Sequence, residues 1–222
     1  MTWGTYLDFP VMTANPNWAE PVKQSYVTDV EVLQYLGIGR SWSQQAETAL
    51  AWEAEFLLES RAEILELRAA YDQVKGRWGR FWCPTWQADV KVTEAIGAAD
   101  SVLVIENMDY GAHWGTAGYE VTGRYLRLQF PDGTVAYRRV TAWPTSTSLT
   151  LDAAVGQDVA ESELGQLLVS FLLFARFDQD ELVIEYLTES VAKAALRFRA
   201  VAAEAVVLMT TTTSSSTTTT TT

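Results

Sequence analysis

Between Leu50 and Glu59 apolar and acidic residues alternate, with Leu50, Trp52, Ala54, Phe56 and Leu58 on one face and Glu53, Glu55 and Glu59 on the other. A period of two is that of a half-buried antiparallel strand. The period changes at Ser60-Arg61-Ala62-Glu63, where a serine three residues ahead of a glutamate makes a capping box. Ile64, Leu67, Ala70, Tyr71 and Val74 then recur at helical spacing until Gly76, which predicts one helix over 60–76.

Upstream, residues 1–25 are rich in Pro, Asn and Trp without a sustained period, and are expected as an extended arm over a neighbouring surface. From Ser25 to Ile38, Tyr26, Val27, Val30, Val32 and Tyr35 favour a strand ended by Gly37-Ile38-Gly39. Downstream, strands are expected over Ser101 to Glu106, Arg124 to Phe130 and Ser148 to Asp152. Pro131-Asp132-Gly133 is a turn that returns the chain through Thr134 to Thr141. Leu167 to Phe177, Glu181 to Leu187 and Val191 to Arg199 read as three more strands, although the alanine-rich stretch from Val191 to Ala203 also suits a helix.

These elements predict a mainly β protein with one principal helix, of α+β class. The first domain, residues 26–92 plus 160–205, is an antiparallel sandwich or barrel-like unit. Residues 93–159 form a small all-β accessory domain inserted in or appended to it. Residues 210–222 are a Thr/Ser-rich tail that cannot bury a core; it either adds a strand to a neighbour's sheet or is not a native element.

Composition narrows the function. Sixteen basic against twenty-eight acidic side chains give a net charge of -12, which repels phosphate backbones and argues against nucleic-acid binding. The single cysteine, Cys83, excludes an intrachain disulfide and a multi-cysteine zinc site, and fits synthesis in a reducing cytosol. The N-terminus lacks the basic-then-apolar pattern of a signal peptide, and Leu167 to Phe177 is too short to span a bilayer, so no membrane insertion is expected.

Candidate chemistry is sparse. The only histidine, His113, sits in a Gly-rich stretch with no neighbouring nucleophile–carboxylate pattern. Gly37-Ile38-Gly39 lacks the third glycine of a dinucleotide loop, and Asp178-Gln179-Asp180-Glu181 lacks calcium-loop spacing. Glu53 with Glu55, and Asp178, Asp180, Glu181 and Glu185, are the carboxylates a glycan hydrolase would draw on, but acidic residues on a strand's polar face are ordinarily solvated. The reading is therefore no catalytic residue, no cofactor and no metal.

Docking is the better prospect. Gly76 to Asp89 holds Trp78, Trp82 and Trp86 together with Arg77 and Arg80, residue types that anchor interfaces. With Trp3 and Trp18 of the N-terminal segment they are the candidate interface or domain-junction residues, Arg77 and Arg80 as the more exposed and Trp82 and Trp86 as anchors of the fold. Trp114 and Trp143 are the candidate accessory-domain surface, a platform on which sugars would stack if the chain were a carbohydrate-binding module.

The order of elements and two segments carry a family resemblance. Gly79-Arg80-Phe81-Trp82-Cys83-Pro84-Thr85-Trp86-Gln87-Ala88-Asp89 resembles the FW.P.W..D segment of phage and prophage tail proteins, and Asp180 to Ala192 is similar to their closing strand pair. Over roughly residues 20–200 the pattern resembles the distal tail and baseplate-hub proteins of long-tailed, siphovirus-like bacteriophages. That resemblance implies a structural virion protein made in the host bacterial cytoplasm. It would form a homo-oligomeric ring, commonly sixfold, joining the tail tube protein to the baseplate hub and tail fibre proteins. A ring closes through heterologous interfaces, so each copy needs two different adhesive faces.

Overall fold

The fold is mainly β with one principal helix, as the periodicities predict. The computed structural model describes residues 3–27, 30–35, 38–43, 49–115 and 123–201; of residues 27, 30–35, 38–43 and 49 the backbone alone is described. The Thr/Ser tail, residues 210–222, lies outside the described residues.

In chain order, β1 (Trp3–Tyr6) and β2 (Phe9–Met12) make a tight hairpin. Its two turn residues, Leu7 and Asp8, both take left-handed angles, φ 48° and 65°. β3 (Lys23–Val27) is followed by β4 (Val30–Tyr35), which pairs with β5 (Ile38–Ser43) as a separate two-stranded ladder. β6 (Ala49–Leu58) runs into α1 (Arg61–Val74), and β7 (Phe81–Pro84) follows. Next come β8 (Val102–Val104), a short helix α2 (Tyr110–Trp114), β9 (Tyr125–Gln129), β10 (Val135–Thr145) and β11 (Ser148–Leu151). A 3-10 turn at Glu161–Gln166 leads to β12 (Leu168–Phe177), β13 (Glu185–Tyr186) and β14 (Ala192–Ala200).

Among the described residues twelve strands join in one sheet, and β12 is its crossroads. Residues 168–171 of β12 pair with β9, residues 175–177 with β14, and residues 172–175 with β7. From β9 the sheet continues through β10 and β11 to β8; from β14 it continues to β6 and β3. The segment 93–159, expected as an accessory unit, thus contributes β8 to β11 to the same sheet as the flanking segments. One hydrophobic cluster runs from Trp52, Phe56 and Leu67 to Leu103, Val140 and Leu149.

Local expectations are met where the signal is local. Trp52, Ala54, Phe56 and Leu58 are buried on one face of β6, and the Ser60 hydroxyl accepts the Glu63 amide at 3.3 Å while the Glu63 carboxylate accepts the Glu59 amide at 2.8 Å. Ile64, Leu67, Ala70 and Val74 form the buried stripe of α1. The helix ends at Val74, two residues ahead of expectation, with Lys75 already left-handed at φ 53° and Gly76 following at φ 58°. The 131–133 turn and its β9–β10 hairpin form as read, with Gly133 at φ 86°.

Other expectations are corrected. Residues 1–25 are not an extended arm: residues 3–12 are a hairpin of the sheet and 23–27 a strand, because Trp3, Tyr6 and Phe9 find aromatic partners far along the chain. The strand read from Ser25 to Ile38 is two strands, β3 and β4, which belong to different ladders. Of the strand read from Glu181 to Leu187 only Glu185–Tyr186 pairs, because it meets only the start of β14. Within the alanine-rich stretch that also suited a helix, Ala192–Ala200 is the strand β14, paired with β6 and with Ala192, Ala194, Leu196, Phe198 and Ala200 buried in alternation.

Candidate functional site

The segment from Gly76 to Asp89 is a frame with one exposed corner. Gly79 donates its amide to the Val74 carbonyl at 2.6 Å, and a Cβ at this position would lie 2.2 Å from that oxygen, so only glycine fits the return from α1. The tight return throws Trp78 outward, 85% exposed. Arg77 reaches back to Asp180 at 3.3 Å and Asp178 at 3.8 Å, tying the corner to the loop after β12. Arg80 is half-buried at the start of β7.

β7 then enters the sheet between β2 and β12, and all four of its residues are buried. Phe81 and Cys83 face the main core; Trp82 faces the opposite side, in a second cluster with Val11, Tyr125, Leu172 and Phe174. Its ring lies 4.5 Å from Tyr125 and 4.9 Å from Phe174, and its indole N–H donates to the Tyr6 carbonyl at 3.0 Å. Trp86 takes a left-handed backbone, φ 55°, and turns its ring into the main core against Phe56 and Phe198. Its N–H donates to the Ala14 carbonyl at 2.9 Å. Cys83 is fully buried in the core, and that burial pushes its thiol well up.

Asp89 closes the frame. Its Oδ2 accepts the Thr85 hydroxyl and, at 2.8 Å, the Phe171 amide of β12. Burial raises its carboxyl above the ordinary range, and the two hydrogen bonds offset part of that rise. The aromatics and the aspartate thus have distinct duties: the rings fill both faces of the sheet, and the carboxylate staples the 85–90 loop to the crossroads strand.

The other sequence candidates fall into different settings. Trp3 is half-buried, edge-on to Phe81 at 5.0 Å, whereas Trp18 is 60% exposed. Trp114 packs on Phe171 at 5.1 Å and Trp143 on Tyr110 at 5.9 Å, with Arg124 stacked over the Trp143 ring. Gly111 and Gly115 abut Trp143, and Gly123 abuts Trp114, so closely that a Cβ at any of them would collide with the indole. These two rings are fitted into the fold, and a sugar platform needs open faces. His113 is exposed at the end of α2. Glu53 pairs with Arg197 at 3.7 Å, Glu55 with Lys193 at 3.5 Å and Glu185 with Lys193 at 3.5 Å, the solvated polar face expected of them.

Two buried polar groups escaped the sequence reading. Arg127, 1% exposed, donates to Gln129 Oε1 at 2.9 Å and Asn15 Oδ1 at 3.1 Å; burial pulls its guanidinium down. Ser170, its cross-strand partner, is fully buried without a hydrogen bond to its hydroxyl. An arginine in an alternating strand gives no local sign that residue 15 will cover it.

Among the described residues no three His, Cys, Asp or Glu side chains are grouped to hold a metal, and no helix is long and apolar enough to cross a membrane. No protein-family model matches the chain, and no curated protein sequence matches it.

Proposed function

We propose that this chain is a structural, non-catalytic virion protein of a phage tail tip, made in the host cytoplasm. It assembles as a homo-oligomeric ring that joins the tail tube to the baseplate hub and fibres. The observation that carries this reading is the Phe81–Asp89 segment, which resembles tail proteins and frames the sheet while its preceding corner presents Trp78, 85% exposed. An exposed tryptophan beside a rigid, fully buried strand is the arrangement of an interface anchor, because little conformational freedom is lost when it docks. Trp18, ahead of β3, and Tyr26, within it, are exposed aromatics available for a second surface, and a closed ring needs two.

Native mass spectrometry of the purified protein, alone and with tail-tube protein, tests the proposal. A closed ring in either mixture supports it, and Trp78→Ala should abolish the ring with the thermal midpoint unchanged. A strictly monomeric protein that binds polysaccharide would overturn it. His113→Ala should leave assembly intact.

A further inference from the structure

Behind the Asp89 staple lies a groove of about 490 Å³. Val90, Val92, Met108, Leu164 and Leu167 give it apolar walls that are continuous with the main core. The size and the mostly apolar lining with few polar groups are those of a site that holds a small moiety. Asp89 is set into this lining, and both hydrogen bonds it accepts end on Oδ2. Oδ1 has no hydrogen bond among the described residues, although a carboxylate has acceptor capacity on both oxygens. The other charged residues of the groove, Lys91 and Glu106, pair with each other at 3.3 Å and are well exposed, so they sit at its rim.

We infer that this groove receives a lysine or arginine side chain of a protein partner, the aliphatic stem lying along the apolar walls and the cationic head donating to Asp89 Oδ1. Such side chains cover apolar surface with their stems and end in donors alone, which matches apolar walls beside the unfilled Asp89 Oδ1. Charge complementarity favours a basic protein as the source, since the chain carries a net charge of -12. The staple to Thr85 and Phe171 holds the carboxylate in place before the partner arrives, which lowers the cost of binding. The inference stands on the groove alone and does not depend on the tail-tip reading.

The test is an NMR titration of the full chain with acetyl-Gly-Lys-Gly-amide, the uncharged norleucine peptide that keeps the four-carbon stem, and n-butylammonium chloride. The lysine peptide should produce saturable shifts at the Val90, Val92 and Met108 methyls, and the norleucine peptide should not. Asp89→Asn keeps acceptors for Thr85 and Phe171 and should weaken the lysine peptide by about tenfold or more. If that variant fails to fold, Leu164→Trp fills the groove from the opposite wall with Asp89 intact, and should abolish the shifts. Equal shifts from the norleucine peptide, or none from the lysine peptide, would overturn the inference. Binding of butylammonium without binding of the lysine peptide would overturn the protein-partner assignment in favour of a small amine.

Discussion

On one side of the sheet, Phe174 of β12 lies under an aromatic layer, whereas Glu53 and Arg197, reached across β14 on that same side, stand in a ladder of opposite charges. Residues 172, 174 and 176 of β12 alternate onto this side, and Arg176 pairs in register with Arg199, so the surface changes character within two strands. In the first region Tyr6, Leu7 and Phe9 of the N-terminal hairpin pack against Trp82, Tyr125, Leu172 and Phe174. Phe9 meets Phe174 at 4.8 Å, and Tyr6 meets Tyr137 at 5.5 Å. In the second region the Asn17 side-chain amide donates to Glu55 at 3.3 Å, and the attraction of Lys193 for Glu55 and Glu185 is screened by solvent. The difference teaches that one side of a single sheet can be structural at one end and solvated at the other. The cover decides which it is.

The comparison can be broken most directly at Trp82. Trp82→Ala empties the covered region and removes the bond to Tyr6, and should cost about 3–5 kcal/mol in urea unfolding. A loss below about 1 kcal/mol would mean that the hairpin does not bear on stability. Asn15→Ala leaves a buried Arg127 donor without its acceptor, and should cost about 1–3 kcal/mol by the same measurement.

Asp89 sharpens the contrast between buried and exposed charge. Its carboxyl is raised in the folded state, so its ionisation opposes folding. The stability it allows is fully present below the ordinary carboxyl value and falls as pH rises through the raised value. Relative to wild type, Asp89→Asn should therefore gain stability between acid and neutral pH, read as the difference in urea midpoints. A constant difference across that window would mean that the carboxyl titrates normally. The smallest effect belongs to the ladder: Arg197→Ala should cost less than about 1 kcal/mol, and the cost should shrink in molar salt.

What was legible in the sequence follows the range of each interaction. The β6 alternation, the Ser60–Glu63 box and the 131–133 turn are decided by neighbours a few residues away, and all three are found where the pattern puts them. The N-terminal hairpin was not legible, because Leu7-Asp8 has none of the glycine or asparagine that marks a left-handed turn. Its conformation is held by rings on β7, β9, β10 and β12, which no local window contains. The candidate site divides in the same way. Trp82 and Trp86 were readable as anchors from their motif, but the outward corner at Trp78 depends on the close approach of Gly79 to Val74, and the duty of Asp89 on the amide of Phe171.

The hairpin's placement also sets a timetable for a growing chain. Residues 3–12 leave the ribosome before the other strands of the sheet, yet Trp82, Tyr125, Tyr137 and Phe174 must all exist before they can be covered. At a synthesis rate of about 5–20 residues per second, that wait is on the order of ten seconds. Throughout it Trp3, Tyr6 and Phe9 are apolar groups in search of a surface. The first strands made are among the last to dock, and the interval before they do is when a nascent copy is most exposed to capture by chaperones or by its own siblings on the same message.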